Sequence, residues 1–233
     1  LTGKPGLFKR LLQVFETLFK ERGFSFQQNE TNILISGTLE PGVFEIPGNV
    51  SSQFISGFLF ALPLLREDSR IVLTTPLESA EYTDLTIDML RQFGVRVDKT
   101  PEGFLIYGNQ AYRSANVDIE SDYSQLAFFA VAGVFSGPIV AKHFRPDSLQ
   151  PDRRVIDTIR AMGGNIQVKD GDYVFSKAAL HGATIDVSQC PDISPVLGIL
   201  GGLSQGETHI VNAERLKLKE TNRIKTTADT LQT

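Results

Sequence analysis

The chain has 233 residues, with 23 Lys and Arg against 27 Asp and Glu, a formal charge of −4. That balance argues against a dedicated nucleic-acid binder, and 41% apolar with 21% charged residues is the composition of an ordinary soluble globular chain with ample side chain to bury. The single cysteine, Cys190, excludes an internal disulfide, and no apolar run reaches the roughly 18 residues that a membrane span requires.

At about 150 residues per domain, the length allows one large domain or two small ones. The opening Leu1-Thr-Gly-Lys-Pro reads neither as a signal peptide nor as a start methionine, so the chain reads as a fragment. Along the chain a pattern recurs about every 70 residues. Arg10–Gly23, Tyr82–Gly94 and Asp152–Gly163 each carry helical apolar spacing and end in glycine, the residue best suited to the left-handed position after a helix. After each glycine comes a hairpin pattern: FSFQQNETNILISG, VRVDKTPEGFLIYG and GNIQVKDGDYVFSK. A fourth copy of the helix begins at Thr221 and stops within it.

A second helix recurs in step, opening at Ser51, Asp122 and Asp192 and running through Leu65, Phe135 and Leu203. These stretches are apolar nearly all round, which predicts buried helices, and each opens with a residue suited to N-capping. Strands are expected before them at VFEIPG, NVDIES and ATIDVS, and after them at RIVLTT, PIVAKHF and THIVNA. The fold class read from this is α/β (α+β), built of repeated units that each hold two helices, one amphipathic and one buried, and several short strands.

The polar residues of interest stand where helices begin, and helix N-termini attract anions. Ser51, Ser52 and Gln53 offer two hydroxyls and an amide at one such end, either as a cap or for phosphate. Ser79 and Tyr82 open the next amphipathic helix, as a cap with a half-buried ring or as ligand groups. Asp192, after Pro191, is either an N-cap or a general base. Lys219 and Arg223 are four apart and would share a helix face, with Glu220 between them. Positive charges are disfavoured at a helix start, and an anionic ligand would remove that conflict; a solvated charged turn is the plainer reading. Arg10, after Lys9, opens the first amphipathic helix as a comparable basic pair. His143, His181 and His209 lack metal-ligand spacing and read as structural or surface residues. Cys190 reads as a small, semi-buried residue.

Lys219-Glu-Thr-Asn-Arg-Ile224 resembles the KE[ST]DRI signature of the EPSP synthase family (3-phosphoshikimate 1-carboxyvinyltransferase). Asn49-Val-Ser-Ser-Gln-Phe54 is similar to its SSQF motif, Pro191-Asp192 to its PD dipeptide, and Leu1-Thr-Gly with Lys9-Arg10 to the stretch bearing its phosphoenolpyruvate-binding arginine. The chain departs from the family pattern at Asn222, where Asp is frequent, at Ser79-Ala-Glu-Tyr82 for SKPY, and at Leu11 for proline.

The resemblance covers the whole chain and about half of the family's length. It implies an enolpyruvyl transferase-like architecture of two domains built of repeated βαβαββ units of about 70 residues, truncated at both ends. Residues 1–120 would form most of the first, substrate domain, and 121–233 the incomplete beginning of the second. The implied reaction transfers the enolpyruvyl group of phosphoenolpyruvate to the 5-hydroxyl of shikimate 3-phosphate, releasing phosphate, by addition and then elimination between domains that close on substrate. By resemblance, Ser51, Ser52, Ser79, Tyr82, Asp192 and Lys219 would hold shikimate 3-phosphate, and Arg10, Gln53 and Arg223 would hold phosphoenolpyruvate. Asp192 would be the base toward the 5-hydroxyl and Glu220 the proton donor at the methylene carbon. The same resemblance implies no metal or organic cofactor, small-molecule partners only (no nucleic acid, no membrane), a cytoplasmic location and a monomer at full length. The missing amino-terminal and carboxy-terminal motifs make the isolated chain's own turnover doubtful. The alternatives are UDP-N-acetylglucosamine enolpyruvyl transferase, whose reactive cysteine Cys190 does not match in placement, and a non-catalytic repeat module that binds phosphate.

Overall fold

A computed structural model describes residues 1–8, 12–169, 171–219 and 221–232. The chain divides into two compact units, Leu1–Val117 and Asp118–Thr233.

The first unit begins with α1 (Pro5–Phe8), α2 (Gln13–Glu21) and an antiparallel hairpin of β1 (Ser25–Gln28) and β2 (Ile33–Ser36). The hairpin turn is closed by Asn29, whose side-chain carbonyl accepts from the backbone N–H of Thr31 at 3.0 Å and of Asn32 at 2.8 Å. This is an Asx turn, the local bond that suits asparagine to such positions. Then come β3 (Val43–Ile46), α3 (Ser52–Ala61), β4 (Ser69–Leu73), α4 (Ala80–Gln92), β5 (Val97–Thr100) and β6 (Gly103–Ile106), in the order βαβαββ. The sheet order is β3-β4-β6-β5, with β3 and β4 parallel and the other pairs antiparallel. Ile46, Ile55, Leu59, Leu62 and Ile106 are wholly buried between sheet and helices. Each contributes about 1.5–3 kcal/mol by leaving water.

In the second unit, α5 (Tyr123–Ser136), β7 (Ile139–Ala141), α6 (Arg154–Ala161), β8 (Asn165–Lys169) and β9 (Asp172–Ser176) repeat the order αβαββ. Their sheet, β7-β9-β8, is antiparallel throughout and reproduces the β4-β6-β5 pairing of the first unit. β10 (Thr184–Asp186), α7 (Ser194–Gly202), β11 (His209–Val211) and α8 (Arg223–Gln232) follow, with β10 and β11 parallel. Ala127, Ala130, Val134, Ile159, Phe175, Ile193, Leu197 and Leu200 make the core.

The three amphipathic helices end in one way. After α2, Gly23 N–H donates to Lys20 and Phe24 N–H to Phe19; after α4, Gly94 donates to Arg91 and Val95 to Leu90; after α6, Gly163 donates to Arg160 and Gly164 to Ile159. These are Schellman caps, and the glycines have φ of 78, 79 and 90°. That backbone conformation is cheap for glycine alone, which is why the same residue closes all three.

Three expectations are corrected. NVDIES forms no strand: Ser121 N–H makes a backbone bond to the His143 carbonyl at 3.2 Å, and Glu120 accepts from Ser148 Oγ at 2.8 Å. Ile119 is 85% exposed, so the alternation there buries nothing and no pairing is driven. The recurrent apolar helices are not buried all round, because Phe60, Phe128 and Phe129 are exposed. Cys190 is fully buried rather than semi-buried, with its Sγ 3.9 Å from the carbonyl of Asp186. The third hairpin turn falls partly on Asp170, outside the described residues.

Candidate active site

Because β3 and β4 run parallel, the loops that follow them leave from the same end of the sheet. The carboxyl ends of parallel strands are where such sheets present binding groups. The first loop, residues 47–51, leads into α3. Ser51 is its N-cap: backbone extended, hydroxyl oxygen accepting from the Gln53 N–H at 3.3 Å. That hydroxyl satisfies one of the N–H groups a helix start leaves free. Ser52 is the first helical residue and is buried, while Gln53 is exposed. The second loop, residues 74–79, leads into α4. Ser79 is its N-cap in the left-handed conformation, φ 55°, and is 1% exposed. An ordinary cap sits in extended backbone, so this serine is held by its surroundings in an unusual shape. Tyr82 lies in the first turn, half-buried, with its carbonyl accepting from Thr86 Oγ1 at 2.9 Å. Thr86 in turn meets Ser56 Oγ at 2.8 Å, tying α4 to α3.

In the second unit the parallel pair β10 and β11 sends out two more such loops. The first runs to a 3-10 turn, Pro191–Ile193, before α7. Asp192 sits inside this turn and is not the N-cap of the helix, a correction to the sequence reading. Pro191 at the start of the turn supplies a preset φ where no N–H is needed. The second loop contains a 3-10 turn at Glu214–Leu218, with Lys219 extended beyond it, and α8 starts at Arg223. Lys219 and Arg223 therefore do not share a helix face, as their spacing suggested; the intervening break puts them on different segments. They converge instead on one carboxylate. Arg223 Nη1 donates to Asp192 Oδ1 at 2.8 Å, and Lys219 Nζ lies 3.5 Å from the same oxygen. Asn222 caps α8, its side-chain oxygen accepting from the Lys225 N–H at 3.2 Å. Asparagine does that as well as the aspartate frequent in the family.

Burial pushes the Asp192 carboxyl up, but the charges of Lys219 and Arg223 together outweigh it and hold it below the usual carboxylate value. The cluster is a carboxylate flanked by two cations at the first turn of a helix, where an entering anion would gain both cations and the helix end.

Arg10 and Glu220 lie outside the described residues. Of the remaining candidates, the structure brings Asp192, Lys219 and Arg223 together in the second unit, and places Ser51, Ser52, Gln53, Ser79 and Tyr82 on adjacent loops of the first. Sequence reading missed the polar pairs behind these loops. Asn49 and Thr75 bond twice, Asn49 N–H to Thr75 Oγ1 at 3.1 Å and Thr75 Oγ1 to Asn49 Oδ1 at 3.0 Å. Asn212 Nδ2 donates to Asp186 Oδ2 at 2.8 Å. Their only signal is position, one at each strand end. Among the described residues, no group of His, Cys, Asp and Glu could hold a metal, and no helix is long and apolar enough to cross a membrane.

The mixed α/β fold is that of the enolpyruvyl transferases. A solved EPSP synthase from Acinetobacter baumannii superposes with a TM-score of 0.75 at 25% identity, covering 99% of this chain and 55% of that one. The enolpyruvyl transferase NikO from Streptomyces tendae, at 16% identity and a TM-score of 0.64, shares the fold over 85% of this chain and 50% of its own. The chain belongs to the EPSP synthase (3-phosphoshikimate 1-carboxyvinyltransferase) family, whose model matches residues 1–233. Among relatives, the 3-phosphoshikimate 1-carboxyvinyltransferase of Clostridium novyi (strain NT) is 44% identical over 99% of this chain, and that of Clostridioides difficile (strain 630) 41% over 95%. The chain spans about half the length of these relatives: 54% and 52%.

Proposed function

We propose that this chain is the central part of an enzyme that transfers the enolpyruvyl group of phosphoenolpyruvate to the 5-hydroxyl of shikimate 3-phosphate. In this reading the full protein has two domains of repeated βαβαββ units; residues 1–120 belong to the first and 121–233 begin the second. It works in the shikimate route to aromatic amino acids, as a cytoplasmic monomer. The observation that carries the reading is the convergence of Lys219 and Arg223 on Asp192, in a chain of this family.

Ser51, Ser52, Ser79, Tyr82 and Lys219 take shikimate 3-phosphate, by hydroxyl donors and one ammonium. Arg10, Gln53 and Arg223 take phosphoenolpyruvate, whose carboxylate and phosphate suit the guanidinium fork. Asp192 accepts the proton of the 5-hydroxyl, and Glu220 moves the proton to and from the methylene carbon. The geometry adds a reason for ordering. Without substrate, Asp192 is neutralised by two cations and is a weak base. Anions that take Lys219 and Arg223 strip those counter-charges, so its proton affinity rises only once both substrates are in place.

Turnover belongs to the whole protein, and the 233 residues alone bind without turning over. Thermal shift of the chain with shikimate 3-phosphate, against plain shikimate and inorganic phosphate, tests this. A rise in Tm specific to shikimate 3-phosphate and lost in Ser52→Ala supports it. Equal shifts from shikimate 3-phosphate and phosphate would leave only an anion-binding module.

A further inference from the structure

In each parallel strand pair of the two units, a polar side-chain bridge joins the loops that leave the strand ends. Between β3 and β4 it is Asn49 with Thr75. Between β10 and β11 it is Asp186 with Asn212. Between the segment before α5 and the one before α6, where the first strand is not formed, Gln150 does the same work: it accepts from the Tyr123 N–H at 2.8 Å and donates to the Ser121 carbonyl at 2.9 Å. The residue types differ at each place, but the link recurs.

We propose that Asp186 and Asn212 are positioning residues that set the distance between Asp192 and Lys219. Asp186 ends β10, six positions before Asp192; Asn212 follows β11, seven positions before Lys219. The carboxylate of Asp186 works in two directions. One oxygen takes the Ser188 N–H at 2.8 Å, folding the start of the loop that carries Asp192; the other takes Asn212 Nδ2 at 2.8 Å. Asn212 has a left-handed backbone, φ 57°, which asparagine tolerates better than other side chains and which turns the second loop toward Lys219. Both bonds are to a charged acceptor, the stronger class of hydrogen bond. The Val187 N–H to Val211 carbonyl bond at 3.2 Å also joins the loops at this end. A displacement of about 1 Å between groups that must meet one substrate is costly, so a bridge holding the two loops in register acts on the site without touching it.

The inference rests on reading Asp192 and Lys219 as site residues, but its first readout needs no ligand. Asn212→Gly removes the bridge, changes no charge and keeps the left-handed backbone. Among the described residues, Lys219 and Arg223 are the charged groups paired with Asp192. Loosening Lys219 should move the Asp192 titration midpoint, followed by carboxyl-carbon NMR, up toward the ordinary carboxylate value. It should also weaken shikimate 3-phosphate binding about tenfold. The double variant D186N/N212D restores the geometry in mirror form: the new amide accepts from Ser188 N–H and donates to the new carboxylate. It should return both midpoint and affinity to within about twofold of the parent. An unchanged Asp192 midpoint in Asn212→Gly would overturn the proposal, whatever happens to Tm. So would a double variant that folds but leaves the midpoint raised. If the midpoint behaves as expected while no form of the chain binds shikimate 3-phosphate, the positioning role stands and the substrate assignment fails.

Discussion

Arg223 Nη1 donates to Asp192 Oδ1 across 2.8 Å, joining the first residue of α8 to the turn that starts α7. Lys219 Nζ lies 3.5 Å from the same oxygen, so one carboxylate meets two cations. Asp192→Asn should therefore remove this counter-charge from both cations. Calorimetry should show inorganic phosphate binding tightened by up to about fivefold, the worth of a partly exposed ion pair. In the full-length enzyme the same change should lower turnover by about 10²- to 10⁴-fold, the usual loss of a general base. Tighter phosphate binding with unchanged turnover would reduce Asp192 to a placeholder.

The same pair makes stability depend on acid. The folded-state value of Asp192 lies below its ordinary 3.8. A carboxylate so lowered contributes stability that is complete above the unfolded value and is lost as pH falls through the folded one. Between pH 5 and pH 3 the parent should lose more stability to urea than Asp192→Asn does. Parallel losses in the two proteins would show that the pair contributes nothing to the fold.

Adjacent serines should separate by role. Ser51→Ala removes an N-cap and should cost about 1 kcal/mol of stability in urea unfolding. Ser52→Ala should leave Tm nearly unchanged but weaken shikimate 3-phosphate about tenfold or more, the loss of a hydrogen bond to a charged group. A reversal of the two effects would reassign the phosphate-binding hydroxyl.

Gly94→Ala should destabilise the chain by about 1 kcal/mol, because alanine is strained at its φ of 79°. An added Cβ would also lie 3.1 Å from Arg113 Cδ. Gly171→Ala, at φ 84° with open space around it, isolates the backbone cost alone. Equal losses at the two sites, read from urea midpoints, would show that crowding by Arg113 adds nothing.

Legibility followed how local the causes were. Gly23, Gly94 and Gly163 could be read as helix ends because the left-handed backbone is a property of the residue itself. The turn at Asn29 was equally local, because its own side chain accepts from the N–H groups of Thr31 and Asn32. Ser51 was open to two readings, and its capping bond is compatible with both. The spacing of Lys219 and Arg223 misled, because Lys219 is extended after the 3-10 turn at Glu214–Leu218 and α8 begins only at Arg223. NVDIES had strand chemistry but no partner to bury Ile119 against. The bridge of Asp186 and Asn212 was invisible because 26 residues separate the pair and neither type marks such a contact.

The most direct measurement is NMR of the labelled chain, titrated in turn with shikimate 3-phosphate and with phosphoenolpyruvate. Shikimate 3-phosphate should move the amides of Ser51 and Ser52 and the side-chain signals of Lys219, and raise the Asp192 midpoint as Lys219 is drawn off. Phosphoenolpyruvate should move Gln53 and Arg223. Shifts confined to other residues, or the same pattern from inorganic phosphate at equal concentration, would contradict the assignment of this chain to the shikimate 3-phosphate site.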